Sequence, residues 1–413
     1  MAQWRSRGRR APDWGFVTQG ILYISYDGML EPLGQSQVLT YLERLSGGRE
    51  IHLLSFEKAA DWSDGDRRQT IERRTTAAGI HWHPLRYHKS PSAAATAYDV
   101  SVGIVRAISL VFRHRLSVVH ARSYVPSLIA LAVKRATGAK FLFDMRGFWA
   151  NERVDGGLWP ENGFLYRTAK RFEARFLRAA NYVVTLTHAS QSEIRRFGYL
   201  AGRVPPIAVI PTCADLERFT IQGPPQRDPF VLGYVGSVGT WYLLDDMLRF
   251  YRELRLQRPG ARLLIANRGE QPLVRTRLAA LGIDQPDVEI TAANHQGMPG
   301  LIARMTAGMA LIKPCFSKIA SAPTKLAEYL GCGVPCVGNV GVGDMEEILR
   351  GREVGVALDN MSEAAIREGV GQLLQLASQA DLQRRCRMVA EELFSVDAAV
   401  ASYDSIYRQL DPA

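Results

Sequence analysis

Short apolar runs alternate with longer stretches of helical spacing along almost the whole chain. The runs at 20–26, 51–56, 79–83, 117–121, 140–144, 182–187 and 206–210 are rich in Val, Ile and Leu and do not alternate strictly with polar residues. Strands buried on both faces have this composition, and such strands belong to parallel sheets. Between them, helical stretches fall at 35–47, 66–78, 124–137, 161–180 and 189–197. The rhythm halts at 211–229, where prolines, a glycine and mixed charge mark a linker. It restarts with strand-like runs at 230–236, 262–267, 287–291, 308–313, 334–338 and 354–358. Helical stretches accompany these near 241–257, 271–281, 297–306, 322–331, 361–377 and 380–411. The pattern predicts an α/β chain of two tandem doubly wound, Rossmann-like domains facing a cleft. The expected division is a basic N-terminal tail at 1–18, a first domain at 19–212, a linker at 213–229 and a second domain at 230–392, with a C-terminal helix at 393–413 packing back toward the first domain.

A length of 413 residues suits two or three domains, and a 47% hydrophobic, 22% charged composition is that of a globular chain. The apolar stretch at 103–112 is broken by Arg106 and closed by Arg113, so no membrane-spanning helix is expected. The basic first residues are followed by no apolar segment and do not read as a secretory signal. Cys213, Cys315, Cys332, Cys336 and Cys386 are too few and too scattered for a disulfide framework and point to a reducing compartment. Cys332 and Cys336 lie among Gly331, Gly333 and Pro335 as small residues in a turn, with no second ligand pair to complete a zinc site. His81 and His83 share one face of a probable strand and are read as ordinary strand residues rather than metal ligands. The net charge of +10 is uneven, with residues 1–214 carrying +13 and the remainder −3. A basic half faces an anionic surface or substrate, or is simply a solvated basic surface.

In doubly wound domains ligands bind beyond the carboxyl ends of the strands, so the residues just after strands carry the chemistry. The strongest set runs from Ser321 to Pro335. Ser321 is the expected N-cap of a helix, with Pro323 in its first turn and Thr324, Lys325 and Glu328 following. A helix N-terminus with a lysine suits a diphosphate, and a carboxylate one turn further can accept the two hydroxyls of a ribose. The alternative is an ordinary capped surface helix. Gly236 and Ser237 open a glycine loop after the strand at 230–236, and Asn267 and Arg268 follow the strand at 262–267. In the first half, Gly34 and Gln35 open a helix after the first strand. Asp144 and Arg146 crowd the end of the strand at 140–144, either as a buried pair holding a loop or as groups contacting a substrate hydroxyl.

These stretches resemble retaining glycosyltransferases of the GT-B fold, specifically the family 4 group, from about residue 19 to residue 411. The resemblance is carried by the sequence around Gly34–Gln35 and by FLFDMRGFWANER, VVTLTHASQSEI, VIPTCADLERF, YVGSVGTWYLLDDML and SAPTKLAEYLGCGVPCV, in that order. It implies transfer of a sugar from a nucleotide-sugar to an acceptor, with retained configuration and no required metal or other cofactor. Gly34 and Gln35 resemble the family's N-terminal glycine loop near the donor phosphates. Gly236 and Ser237 resemble the loop opening the donor domain. Lys325 resembles a diphosphate-binding lysine, and Glu328 the later Glu of the family's E-x7-E motif. The earlier Glu of that motif is replaced by Ala320, and the basic residues often found after the donor domain's first strand are missing from 237–242. Arg268 or Lys313 would supply that charge instead. Where many members carry a histidine after the fifth strand, this chain has Asp144 and Arg146.

The implied chemistry is electrostatic. Lys325, Arg268 and the helix N-terminus stabilise the departing diphosphate, with Asp144 and Arg146 as further catalytic candidates. The acceptor, a glycan or lipid-linked molecule, belongs on the first domain. There the stretch 161–180 interleaves Phe164, Leu165, Phe172, Phe176 and Leu177 with Arg167, Lys170, Arg171, Arg175 and Arg178. Such a helix either packs in the core with a solvated basic face or lies on an anionic membrane, which would place the chain in the cytoplasm and peripherally on the inner face of the cell membrane. A nucleotide-sugar epimerase of the same fold and a non-catalytic glycosyltransferase-like subunit are the competing readings. No nucleic-acid recognition motif is present.

Overall fold

The computed structural model describes residues 20–283, 285–292 and 297–412. The expected basic tail at 1–18 lies outside the described residues. Seven strands build the first sheet: β1 (Gly20–Ser25), β2 (Glu50–Glu57), β3 (Ile80–Arg86), β4 (Val118–Arg122), β5 (Lys140–Asp144), β6 (Tyr182–Thr185) and β7 (Ile207–Val209). Six build the second: β8 (Val231–Val235), β9 (Arg262–Ala266), β10 (Val288–Thr291), β11 (Ala307–Met309), β12 (Cys336–Asn339) and β13 (Gly355–Leu358). The orders are β3-β2-β1-β4-β5-β6-β7 and β10-β9-β8-β11-β12-β13, and every pairing is parallel. In each sheet the order reverses beside the first strand, where β1 meets β4 and β8 meets β11. Both reversals open a crevice at the strand carboxyl ends.

The central strands are buried along their length, which accounts for their unalternating apolar sequences: β1 and β4 have no exposed position. Helix α1 (Ser92–His114) is the main element the sequence pattern does not mark. Its 23 residues are mostly Ala, Ser and Val, and it buries Ala107, Leu110 and Val111 against the sheet while Tyr98, Val105 and Phe112 stay exposed. A stretch of it, Ala93–His114, is long and apolar enough by composition to cross a membrane. In the fold it is a layer of the first domain, packed beside the helix Tyr124–Thr137.

Three further helices matter for the site: α2 (Trp149–Asp155), α3 (Phe164–Ala179) and α4 (His188–Arg195). The chain then crosses to the second domain, where α5 (Thr324–Gly331) lies between β11 and β12. The terminal helical stretch is two helices, Leu382–Phe394 and α6 (Val396–Leu410), broken at Ser395, whose hydroxyl caps the second. Helix α6 returns to the first domain. Tyr403, Ile406 and Tyr407 share a core with Ile21, Tyr23 and Val118, and Arg49 binds Asp404.

Candidate active site

Helix α5 begins at Thr324, two residues later than the sequence predicts. Ser321 is not its cap. It ends a 3-10 turn at Phe316–Ala320, its N–H bonded to the Lys318 carbonyl, and has extended backbone. Pro323 disfavours helical geometry in Ala322 before it, so the helix does not start at 322, and Pro323 itself is extended at φ −66 and ψ 121. Pro323 becomes the N-cap, and no side chain caps the helix. The first-turn N–H groups of Thr324 and Lys325 are thus left for another partner.

Lys325 points back under the glycine loop. Its Nζ donates to the Tyr234 hydroxyl at 3.0 Å and lies 3.4 Å from the centre of the Tyr242 ring and 4.4 Å from that of Tyr234. Tyr234 in turn donates to the Ser237 carbonyl. Gly236, at φ +114, makes room: a Cβ there would sit 3.4 Å from Lys325 Nζ. The ammonium is enclosed by aromatic rings, with no carboxylate in contact among the described residues. Burial lowers its pKa to about 7, against the opposing pull of Glu328. Glu328, one turn on, is half-buried, and burial raises its pKa to about 7 in spite of Lys325 and Arg218. Among the described residues its carboxylate receives no hydrogen bond. Two ionisable groups side by side are thus poised near neutrality, each short of partners.

The glycine loop is held from behind. Asn267 donates to the Gly236 carbonyl at 2.9 Å and to Glu270 at 3.0 Å, and Glu270 accepts from the Val238 N–H at 2.8 Å. Asn267 is buried, so it shapes the loop rather than lining the cleft. Arg268 beside it is exposed and has no hydrogen-bond or ion-pair partner among the described residues, and the same holds for the side chain of Lys313 after β11. Ser237 is exposed at the loop tip.

Across the cleft, Asp144 at the end of β5 is fully buried. Its carboxylate accepts from the Tyr403 hydroxyl at 3.2 Å and stands 3.7 Å from His120, 3.8 Å from Arg122 and 4.0 Å from Arg146. Burial alone would raise its pKa; Arg146, His120 and Arg122 outweigh this and hold the carboxyl below its ordinary value. Burial keeps His120 neutral, its Nδ1 bonded to the Tyr407 hydroxyl at 2.6 Å. Arg146 sits above this cluster at φ +58, reaches Thr212 at 3.4 Å and faces two adjoining hollows of about 320 and 310 Å³. The first also borders Trp241, Tyr242, Lys318, Ser321 and Thr324, and the second Asp27, Gln37 and Arg122. The cleft-facing role therefore falls to Arg146, with Asp144 behind it. Gly34 is buried: a side chain there would collide with the Gly28 carbonyl, so the glycine lets the first helix close on the β1 loop. Gln35 is half-buried and reaches the Leu30 carbonyl at 3.5 Å.

The two domains touch along one rim of the cleft. Lys318 Nζ binds Glu152 at 2.9 Å and stacks 3.7 Å over Trp241; Asp155 accepts from the Ser317 N–H at 2.9 Å. Asp344 accepts from the N–H groups of His188 and Ala189, at 2.7 and 2.9 Å, capping α4 from the other domain. Tyr234, Tyr242, Glu270, Lys318 and Glu152 were not marked by the sequence. Tyr234 is hidden inside an apolar strand, and the others pair only through the fold.

Residues 38–213 match the family model described as glycosyl transferase 4-like domain. Comparison with curated proteins gives no match. Solved structures similar over nearly the whole chain include sucrose-phosphate synthase from Thermosynechococcus elongatus, 13% identical at a TM-score of 0.70, covering 95% of this chain and 99% of that one. HepE of Anabaena in complex with UDP is 15% identical at a TM-score of 0.65, covering 95% and 100%. The lipopolysaccharide outer core galactosyltransferase WaaB is 14% identical at a TM-score of 0.63, also covering 95% and 100%. The chain therefore has the two-domain GT-B fold, and its residues 38–213 match the glycosyl transferase 4-like domain.

Proposed function

We propose that this protein transfers a hexose from a nucleoside-diphosphate sugar to a glycan or lipid-linked acceptor, with retention of configuration and without a catalytic metal, in cell-envelope or exopolysaccharide synthesis. The observation that carries the reading is the Lys325–Glu328 pair: a buried ammonium pushed down to about 7 and a carboxyl pushed up to about 7 beside an uncapped helix start. A diphosphate restores the charge of Lys325 and fills the free N–H groups, and a ribose diol donates to Glu328. Complexes of HepE with UDP and with UDP-glucose support a uridine nucleotide as the first donor to try.

In the reaction, the bond between the anomeric carbon and the diphosphate oxygen breaks, and the acceptor hydroxyl attacks from the same face. Lys325, Arg268 and the first turn of α5 stabilise the charge that develops on the diphosphate. Arg146 contacts the sugar or the phosphate nearest to it. Asp144 positions Arg146 and Arg122 from beneath. Contact of the domains through Glu152–Lys318 and Asp344 excludes water from the reacting centre.

The acceptor side adjoins an apolar and basic surface. Leu158, Phe164 and Leu165 are exposed beside Arg167 and Arg171 at the start of α3, while Phe176 and Leu177 of the same helix are buried. The far end of α3 is thus a core helix, and its first turns are the part that would rest on an anionic leaflet on the cytoplasmic side. Binding to anionic vesicles at low salt, lost in a Phe164→Ser/Leu165→Ser variant, tests that attachment.

Incubation with UDP-, GDP- and ADP-sugars, with and without acceptor, tests the function itself. Release of nucleoside diphosphate together with an acceptor product of retained configuration is the expected result. A changed sugar formed without acceptor would identify an epimerase, and absence of nucleotide-sugar binding in calorimetry a non-catalytic subunit.

A further inference from the structure

Four of the eight histidines gather at the edge of the first sheet, at the end of the strands remote from the cleft. His52 lies in β2, His81 and His83 in β3, and His114 is the last residue of α1. Parallel pairing sets His52 beside His81 and turns His83 to the same face. His52 Nε2 is 2.9 Å from Glu50 Oε1, and His114 Nδ1 is 3.9 Å from the same oxygen. One donor atom from each of Glu50, His52 and His114 falls within 4.8 Å of the others. Ligands about 2.0–2.1 Å from a tetrahedral zinc lie about 3.3–3.4 Å apart, so small side-chain shifts bring the three into range.

We propose that Glu50, His52 and His114 bind a divalent transition-metal ion of the zinc class, remote from the transfer cleft, stapling β2 to the end of α1. Three features of the surroundings fit. His52 is buried and fixed, its Nδ1 3.0 Å from His83 Nε2 and its ring stacked on His81 at 4.6 Å. A ligating imidazole needs such a partner on its second nitrogen. Glu50 and His114 are about one-third exposed, at 33% and 31%, which leaves a path for the ion and room for water in the fourth position. Two imidazoles with one carboxylate form a donor set that suits zinc.

One tautomer assignment satisfies every ring nitrogen of the relay without metal: Arg106 donates to His83 Nδ1 at 3.3 Å, His83 Nε2–H to His52 Nδ1, and His52 Nε2–H to Glu50. The ion takes the place of the last proton. The His52 proton then sits on Nδ1 and is donated to His83 Nε2, the His83 proton moves to Nδ1, and the exposed Arg106 turns away. No net proton is released, and the His83 Nδ1–H, on a part-exposed ring, is left to solvent.

The test is titration of the metal-stripped full chain with zinc alone, in competition with a chromophoric chelator, followed by thermal unfolding. The expected result is one zinc per chain at micromolar free zinc and an unfolding midpoint that rises with free zinc by mass action. His114→Gln and Glu50→Gln should each weaken binding at least tenfold without shifting the metal-free midpoint, and a Cys315→Ser control should leave it unchanged. Cobalt should give visible bands of a nitrogen–oxygen site in the wild type and in Cys315→Ser, and lose them in His114→Gln and Glu50→Gln. No binding at micromolar zinc, binding unaltered in both His114→Gln and Glu50→Gln, or binding abolished by Cys315→Ser would overturn the proposal.

Discussion

The two walls of the cleft handle charge in opposite ways. On the first domain, Asp144 is buried among Arg122, Arg146, His120 and Tyr403, and Arg146, His120 and Arg122 hold its carboxyl below the ordinary value. That cluster carries its own counter-charges. On the second domain, Lys325 and Glu328 are desolvated with few partners and sit near neutrality. The first arrangement supports the fold. The second is costly until a ligand supplies what is missing, as expected of a binding site. The contrast places the self-compensated charges, a floor to the cleft, on one domain and the under-partnered charges, which the proposed function fills with a ligand, on the other.

Breaking the floor should have the largest effect. Asp144→Ala takes the shared carboxylate from the buried Arg122 and the cleft-facing Arg146, a loss of about 3–5 kcal/mol for a broken buried pair. Urea unfolding of the first domain should show it, and an unchanged midpoint would remove the distinction between the two walls. Lys325→Met and Glu328→Gln should behave in the opposite sense: transfer falls at least tenfold, about 1.4 kcal/mol, while the melting temperature holds or rises. A lower melting temperature with a wild-type rate would place these residues in the floor class.

The pH dependence sharpens this. A lysine pushed down to about 7 costs stability below its unfolded value near 10.5, in full below about 7. A glutamate pushed up to about 7 costs stability above its unfolded value near 4.5, in full above about 7. The two costs overlap most around neutrality, so the stability gained in the double variant should peak near pH 7 and shrink on either side. In Glu328→Gln, UDP affinity should fall as pH rises through the neutral range, because Lys325 loses its proton. Calorimetry across that range checks both signs. The smallest effect belongs to the rim: Glu152→Ala removes a partly exposed ion pair with Lys318, worth about 0–1 kcal/mol, and should raise KM a few-fold with little change in stability.

Much of this was legible in the chain itself. Unalternating Val, Ile and Leu runs announce parallel sheets because both faces are covered, and the proline-rich stretch near 211–229 announces the crossing between domains. Lys325 and Glu328 stood out because a helix start and a one-turn spacing are local features. What stayed hidden depends on non-local pairing. Tyr234 reads as one more apolar strand residue until the fold brings Lys325 beneath it. Lys318 and Glu152 are ordinary charges until two domains meet. Helix α1 has few sequence marks because Ala, Ser and Val along it blur its two faces. Ser321 was misassigned by composition alone, since the geometry before Pro323 outweighed a good capping side chain.

The central claim is that a pyrophosphate is held at the start of α5 against Lys325. A crystal structure with UDP or a UDP-sugar bound tests it most directly. The account predicts phosphate oxygens within hydrogen-bond distance of Lys325 Nζ and the Thr324–Lys325 N–H groups, with the ribose hydroxyls on Glu328. Nucleotide bound instead in the adjoining cavity of about 420 Å³ lined by His188, Asp344 and Pro323, with Lys325 still enclosed by Tyr234 and Tyr242, would contradict it.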